Sequence, residues 1–171
     1  MSLMLYLMRH GIAAEPARGV ADADRALTDE GVEKTTRVAE GLRALDVRPD
    51  AILSSPLVRA HETARLAGEI LAPDCEIELR QVLAGGVVPE DIVTGLRPPR
   101  GAQQLLLVGH QPDLGELASY LLTGSGQLSP LPFKKAAVAA IEISGLPPRH
   151  PGVLHWFLTS GQLRAIADSK K

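Results

Sequence analysis

Apolar positions fall in two patterns along the chain, short solid runs and longer stretches of helical spacing. Their order predicts strands alternating with helices. Leu3-Met4-Leu5-Tyr6-Leu7-Met8 is a solid run of strand length, and Gly11 closes it. Residues 12–27 are polar, alanine-rich and aperiodic, and predict a long loop. Thr28 then reads as an N-cap, with Asp29 and Glu30 in the first turn where acids complement the helix dipole. The helix that follows is expected to reach about Leu45, to bury Val32, Ala39, Leu42 and Leu45, and to be stopped by Pro49.

Ala51-Ile52-Leu53 is the second expected strand, and Pro56 suits the first position of a helix running to about Leu71. A shorter strand is expected from Cys75 to Leu79. Residues 84–101 are rich in glycine and proline and hold one weak helix near Glu90–Leu96. Gln104-Leu105-Leu106-Leu107-Val108 is the most strand-like run of all. Asp113 and Glu116 beyond it resemble a capping box that opens a helix to about Leu122. Val138–Ile143 and Val153–Leu158 read as two late strands, a hairpin partly at the sheet edge. The sum is a single α/β domain spanning residues 1–171, with a doubly wound, mostly parallel sheet and helices on both faces. There is no internal repeat or low-complexity segment.

Composition narrows the function. Of the 171 residues 45% are hydrophobic and 22% charged, which fits a globular domain with a proper core. A net charge of −2 without blocks of like charge, and only 3% aromatic residues, argue against a nucleic-acid partner. No apolar stretch approaches membrane-spanning length and the short N-terminal run lacks a basic flank, so a cytoplasmic location without a membrane partner is expected. The lone Cys75 has no partner for an internal disulfide and no motif that would lower its pKa. The histidines show no paired metal spacing, so neither a metal nor a cofactor is expected.

Three expected strand ends carry polar groups. The first ends in Arg9 and His10, the second leads through Ser54-Ser55-Pro56 to Arg59, and the fourth ends at His110. In an open α/β sheet, ligands bind outside the carboxyl ends of the strands, so these four side chains can converge. Arginine forks match phosphate oxygens, and an imidazole can serve as nucleophile or proton carrier near neutral pH.

Leu7-Met8-Arg9-His10-Gly11, Leu53-Ser54-Ser55-Pro56-Leu57-Val58-Arg59-Ala60 with Thr63-Ala64, and Val108-Gly109-His110-Gln111-Pro112, in this order, resemble the histidine phosphatase superfamily. Arg25-Ala26-Leu27-Thr28 followed by Gly31 is similar to that family's entry to its first helix. The short chain without large insertions resembles the phosphohistidine phosphatases of the SixA type, and the likeness runs from Leu3 to about Ile143. The resemblance implies a phosphoglycerate mutase-like fold. It implies that His10 is a nucleophile that becomes phosphorylated, and that Arg9, Arg59 and His110 hold the phosphoryl oxygens. It also implies a metal-independent phosphatase acting on phosphohistidine in a protein, such as a histidine-containing phosphotransfer domain. A phosphatase of a small-molecule ester, or a phosphate-binding module without catalysis, are the alternatives.

Larger members of the superfamily carry a carboxylic acid that protonates an alkoxide leaving group. In the corresponding segment, residues 83–91, only Glu90 and Asp91 are available, and an expected helix start gives them another use as dipole compensation. A missing acid fits phosphohistidine, because imidazole leaves more easily than an alkoxide. His61 lies two residues past Arg59 on the same helix and points elsewhere. Glu15, Arg18 and Arg25 belong to the loop that could close over a substrate, or are solvated. Lys134 and Lys135 either widen the positive field of the pocket or protect a sheet edge. His150 and His155 read as surface or structural residues.

Overall fold

The computed structural model describes residues 2–170. Its strands are β1 (Leu3–Arg9), β2 (Ala51–Ser54), β3 (Ile77–Leu79), β4 (Gln104–Gly109), β5 (Val138–Ile143) and β6 (Val153–Leu158). They form one sheet in the order β3-β2-β4-β1-β5-β6. The first four are parallel neighbours, and β5 and β6 run antiparallel at one side. The helices are α1 (Asp29–Ala44), α2 (Val58–Leu71), α3 (Pro89–Gly95), α4 (Asp113–Thr123) and α5 (Ser160–Ser169).

The solid apolar runs are explained by burial on both sides of the central strands. Leu5, Leu7, Leu53, Leu105 and Leu107 face a core closed by α3 and α4, with Ile92, Leu114 and Leu117. Tyr6, Met8, Ile52, Leu106 and Val108 face the opposite core, closed by α1, α2 and α5, with Val38, Leu42, Ala64 and Leu163. The sheet is therefore doubly wound, as the alternation of patterns predicts.

Four local expectations differ from the structure. On α1 the buried positions are Thr35, Val38, Ala39 and Leu42, while Val32 and Leu45 are each 38% exposed. The buried stripe is turned because it follows the contact with α2 and α5 rather than the largest apolar side chains. Pro49 does not stop α1: the helix ends at Ala44, five residues earlier, and Asp46 already has a left-handed φ of 60°. Pro56 lies before α2, whose N-cap is Leu57. The capping box of α4 is absent. Pro112 stands at the N-cap position, and the Asp113 carboxylate accepts from the Val87 N–H at 3.0 Å instead.

Helix α5 was not expected from the apolar pattern. It starts with a capping box in which Thr159 accepts from the Gln162 N–H and Gln162 reaches back to the Thr159 N–H. It lies against α1 so closely that a Cβ on Gly41 would stand 2.0 Å from the Leu163 carbonyl oxygen. Arg37 of α1 and Asp168 of α5 form an ion pair across the same contact. Alanine is a better helix former than glycine by about 1 kcal/mol. Gly41→Ala should nevertheless destabilise the protein by about 1–3 kcal/mol, since backbone, not a flexible side chain, blocks the added methyl. Urea denaturation at neutral pH tests this, and an unchanged or raised midpoint would count against the close contact.

Candidate active site

Strands β2, β4 and β1 are adjacent, and their carboxyl ends stay laced together beyond the ladder. His10 N–H donates to Gly109 O at 3.1 Å, and Ser55 N–H donates to Val108 O at 2.9 Å. This lacing delivers Ser55, His110 and His10 to one place. Arg9 is the last residue of β1 and Arg59 lies in the first turn of α2. The two imidazoles are 5.1 Å apart between ring centroids. His10, Arg59 and His110 are 4%, 7% and 7% exposed, and Arg9 is half-buried beside them.

Each side chain is held from behind. His10 Nδ1–H donates to Gly11 O at 2.7 Å, which leaves Nε2 without its proton and free to act as a base or nucleophile. The Gly11 N–H donates to Thr63 Oγ1 at 3.0 Å, and that hydroxyl donates to Arg59 O at 2.7 Å, tying the β1 turn to the start of α2. Arg9 Nη1 donates to Phe133 O at 2.8 Å. Arg59 Nη1 and Nη2 donate to the carbonyl and carboxylate of Asp22 at 2.8 and 3.2 Å. Ser55 Oγ lies 2.7 Å from His110 Nε2 and accepts from the Leu57 N–H. The buried hydroxyl proton needs an acceptor, so it goes to Nε2 and the His110 ring proton sits on Nδ1.

Three donors then remain buried with no partner: Arg9 Nε, Arg59 Nε and His110 Nδ1. Buried donors without acceptors are costly, and a cluster of them marks the place of an absent acceptor. Two of the three belong to guanidinium groups, the donors that suit an oxyanion.

Electrostatics agree. Burial, and then the cations of Lys135 and Arg59 and the neighbouring His110, hold the His10 pKa down at about 3 in spite of the Gly11 hydrogen bond. Burial and then Arg59 hold His110 at about 4. Both rings are therefore neutral near pH 7. Burial and the charge of Arg59 also lower the pKa of Arg9, and burial with Arg9, Arg25 and Arg59 lowers that of Lys135.

These shifts set a pH dependence of stability. An unfolded histidine titrates near 6.5, so as pH falls below that value the unfolded chain binds protons that the folded site refuses. Stability is full above about pH 6.5 and is lost as pH falls toward 4, with a slope of about 1 kcal/mol per pH unit for each buried ring. Wild type should lose more stability between pH 7 and pH 5 than His10→Gln. Equal shifts of the urea midpoint in the two proteins would contradict a neutral, buried His10.

The four residues singled out at strand ends thus come together. Glu90 and Asp91 do not join them: both are exposed in the first turn of α3, and their carboxylates bond to none of the four. His61 is exposed on α2, and His155 pairs with Glu142 at 2.9 Å on β5. Arg25 is bound to Asp22 and to Ala14 O, bracing the loop from inside. Gly31 seats that loop on α1, because a Cβ there would stand 2.0 Å from Ile12 O. Asp22 and Ser55 are the positioning residues that sequence reasoning did not assign. Ser55 stands inside a quoted motif, but nothing in the local pattern of residues 12–27 marks Asp22.

This fold and pocket place the chain in a known class: it belongs to the histidine phosphatase superfamily, whose branch 1 model matches residues 5–84. It is 40% identical to an uncharacterized protein of Picosynechococcus over 126 residues, 70% of this chain and 73% of that protein. It is 27% identical to the phosphohistidine phosphatase SixA of Escherichia coli over 143 residues, 82% of this chain and 86% of that one. The solved structure of the protein histidine phosphatase SixA complexed with tungstate superposes with a TM-score of 0.80 at 25% identity, covering 94% of this chain and 99% of that chain. Family and geometry together support phosphatase activity. No helix among the described residues is long and apolar enough to cross a membrane.

Proposed function

We propose that the protein hydrolyses phosphohistidine in a protein substrate, without a metal, through a phosphohistidine formed on its own His10. The observation that carries the reading is the unprotonated Nε2 of His10, fixed by the Nδ1–H bond to Gly11 O, beside three buried donors that lack an acceptor. In the first step the Nε2 lone pair attacks phosphorus, the bond from phosphorus to the substrate imidazole breaks, and that imidazole leaves with a proton from solvent. In the second, water attacks the phosphorylated His10, the P–Nε2 bond breaks, and inorganic phosphate departs with the imidazole restored. Arg9, Arg59 and His110 donate to the equatorial oxygens as charge spreads over them. Among the described residues no cluster of three or more His, Cys, Asp or Glu side chains could hold a metal, and cationic donors supply the positive charge instead.

The exposed position of Glu90 and Asp91 favours a substrate whose leaving group needs little help. A protonated imidazole is such a group and an alkoxide is not. The test compares a phosphohistidine peptide with a series of aryl phosphates of rising leaving-group pKa. The expected result is fast turnover of the peptide and a steep fall along the series, unchanged in Glu90→Gln and Asp91→Asn. A general acid flattens such a series by protonating the departing oxygen. A flat profile that steepens in either variant would identify an acid and move the substrate to small esters.

A further inference from the structure

Beside the phosphate pocket lies a second concavity of about 280 Å³ whose lining is strongly one-sided in charge. Lys34, Lys134, Lys135 and Arg164 border it, and no carboxylate does. Lys34 is paired with Glu30, which lies outside the lining and also feels the charge of Arg164. Lys134, Lys135 and Arg164 have no ion-pair partner among the described residues. The α5 N-terminus opens onto the same space at Ser160, adding the positive end of a ten-residue helix. The Thr35 hydroxyl borders it too, wholly buried and without a hydrogen-bond partner.

The wall between groove and pocket is the turn through Lys134 and Lys135, and the site clamps it at both ends. Phe133 O accepts from Arg9, Ala136 N–H donates to His10 O at 3.1 Å, and Ala137 O accepts from Arg9 N–H at 3.1 Å. Ala136 is held at a φ of 56°, a left-handed conformation that costs a non-glycine residue roughly 1–2 kcal/mol. The turn thus spends stability to bring Lys135 near His10 and to set Lys134 on the exposed side of the groove, in a sheet whose edges are elsewhere, at β3 and β6. Edge protection does not explain them.

We infer that this groove is a docking surface for acidic polypeptide next to the phosphorylated histidine of a protein substrate. The inference rests on the proposed function and names the chemistry of its partner. The cations come from α1, from the turn before β5 and from α5, so they are spread along a path that suits successive carboxylates of a chain. Gly11 and Lys135 line the groove, Gly11 O accepts from His10 and the Lys135 charge acts on His10, so a chain whose phosphohistidine meets His10 continues into the groove. A nucleic-acid strand is disfavoured by the overall charge of −2 and by the lack of an aromatic side chain on the groove.

The probes are two labelled peptides with one central histidine, flanked by glutamates in one and by glutamines in the other. By fluorescence anisotropy at low salt, the unphosphorylated glutamate peptide should bind wild type at least tenfold more tightly than the glutamine peptide. The preference should vanish in Lys134→Glu/Arg164→Glu and shrink with added salt. Hydrolysis of 4-nitrophenyl phosphate should be the same in that variant, which verifies an intact fold and pocket. Equal binding of the two peptides, a preference that survives the double reversal, or an oligonucleotide that binds better than the glutamate peptide would each overturn the inference. With both peptides phosphorylated on histidine, the glutamate form should show the lower KM. Failure to turn over either form would refute the proposed substrate, while the anisotropy still decides the groove.

Discussion

His10→Ala should abolish turnover and leave the fold in place. The ring is 4% exposed but stands past the end of β1, where its one polar bond is to its own neighbour Gly11. It supplies no volume to either apolar core, so alanine opens the phosphate pocket rather than a core cavity. What is lost is the unprotonated ring nitrogen that the Gly11 bond leaves free. Covalent catalysis divides one hard displacement into two easier ones, and neither step survives without that atom. Wild type quenched during turnover should carry an acid-labile, base-stable phosphate on His10, and the variant should carry none while keeping a native far-ultraviolet spectrum. A rate within tenfold of wild type in His10→Ala would end the covalent mechanism.

Arg59→Ala should lower kcat/KM on an aryl phosphate by about 100-fold or more, the scale of removing one preorganised donor to a developing oxyanion. The guanidinium is held: Asp22 takes both Nη groups and leaves Nε buried without a partner. Lysine should rescue poorly, because a single ammonium cannot hold Asp22 and face phosphate at once. Asp22→Ala then becomes informative, since Arg59 keeps its charge but loses its aim, and kcat should fall more than KM rises. A loss below threefold in Arg59→Ala would remove this residue from the site. Arg9→Ala, anchored through Phe133 O, should behave like Arg59→Ala.

The parts of this protein that were legible in its sequence are those whose burial is total. Leu5, Leu7, Leu53, Leu105, Leu106 and Leu107 are fully buried, and a short run of such residues bounded by turn signals suits a central strand. The convergence of the candidate site was legible for the same reason, because Arg9, His10 and His110 follow or end those runs at one edge of the sheet. Helix α5 was not. Only Leu163 and Ala167 are buried in it, too few to raise a helical period, and Thr159 with Gln162 was the sole mark of its start. The pair Asp113 and Glu116 looked like the same kind of mark and was not one, since a carboxylate serves whichever N–H the tertiary fold brings near. Asp22 was invisible for a related reason: its function depends on a loop crossing to α2, a contact that leaves no periodic trace.

The sheet order carries a consequence for how the molecule comes to be made. Strand β1 emerges first from the ribosome, yet its two neighbours are β4 and β5, paired as Leu5 with Leu105 and Leu5 with Ile141. Roughly a hundred residues must be synthesised before either edge of the strand that leads to His10 is covered. Such distant pairings close slowly and leave apolar edges open to other chains meanwhile. Assembly of the site therefore waits on strands made long after its first two residues, Arg9 and His10. Without the segment from Phe133 to Ala137 and strand β5, Arg9 has no anchor and His10 no seat, so a translation product cut short before that segment carries the motif residues without the assembled site.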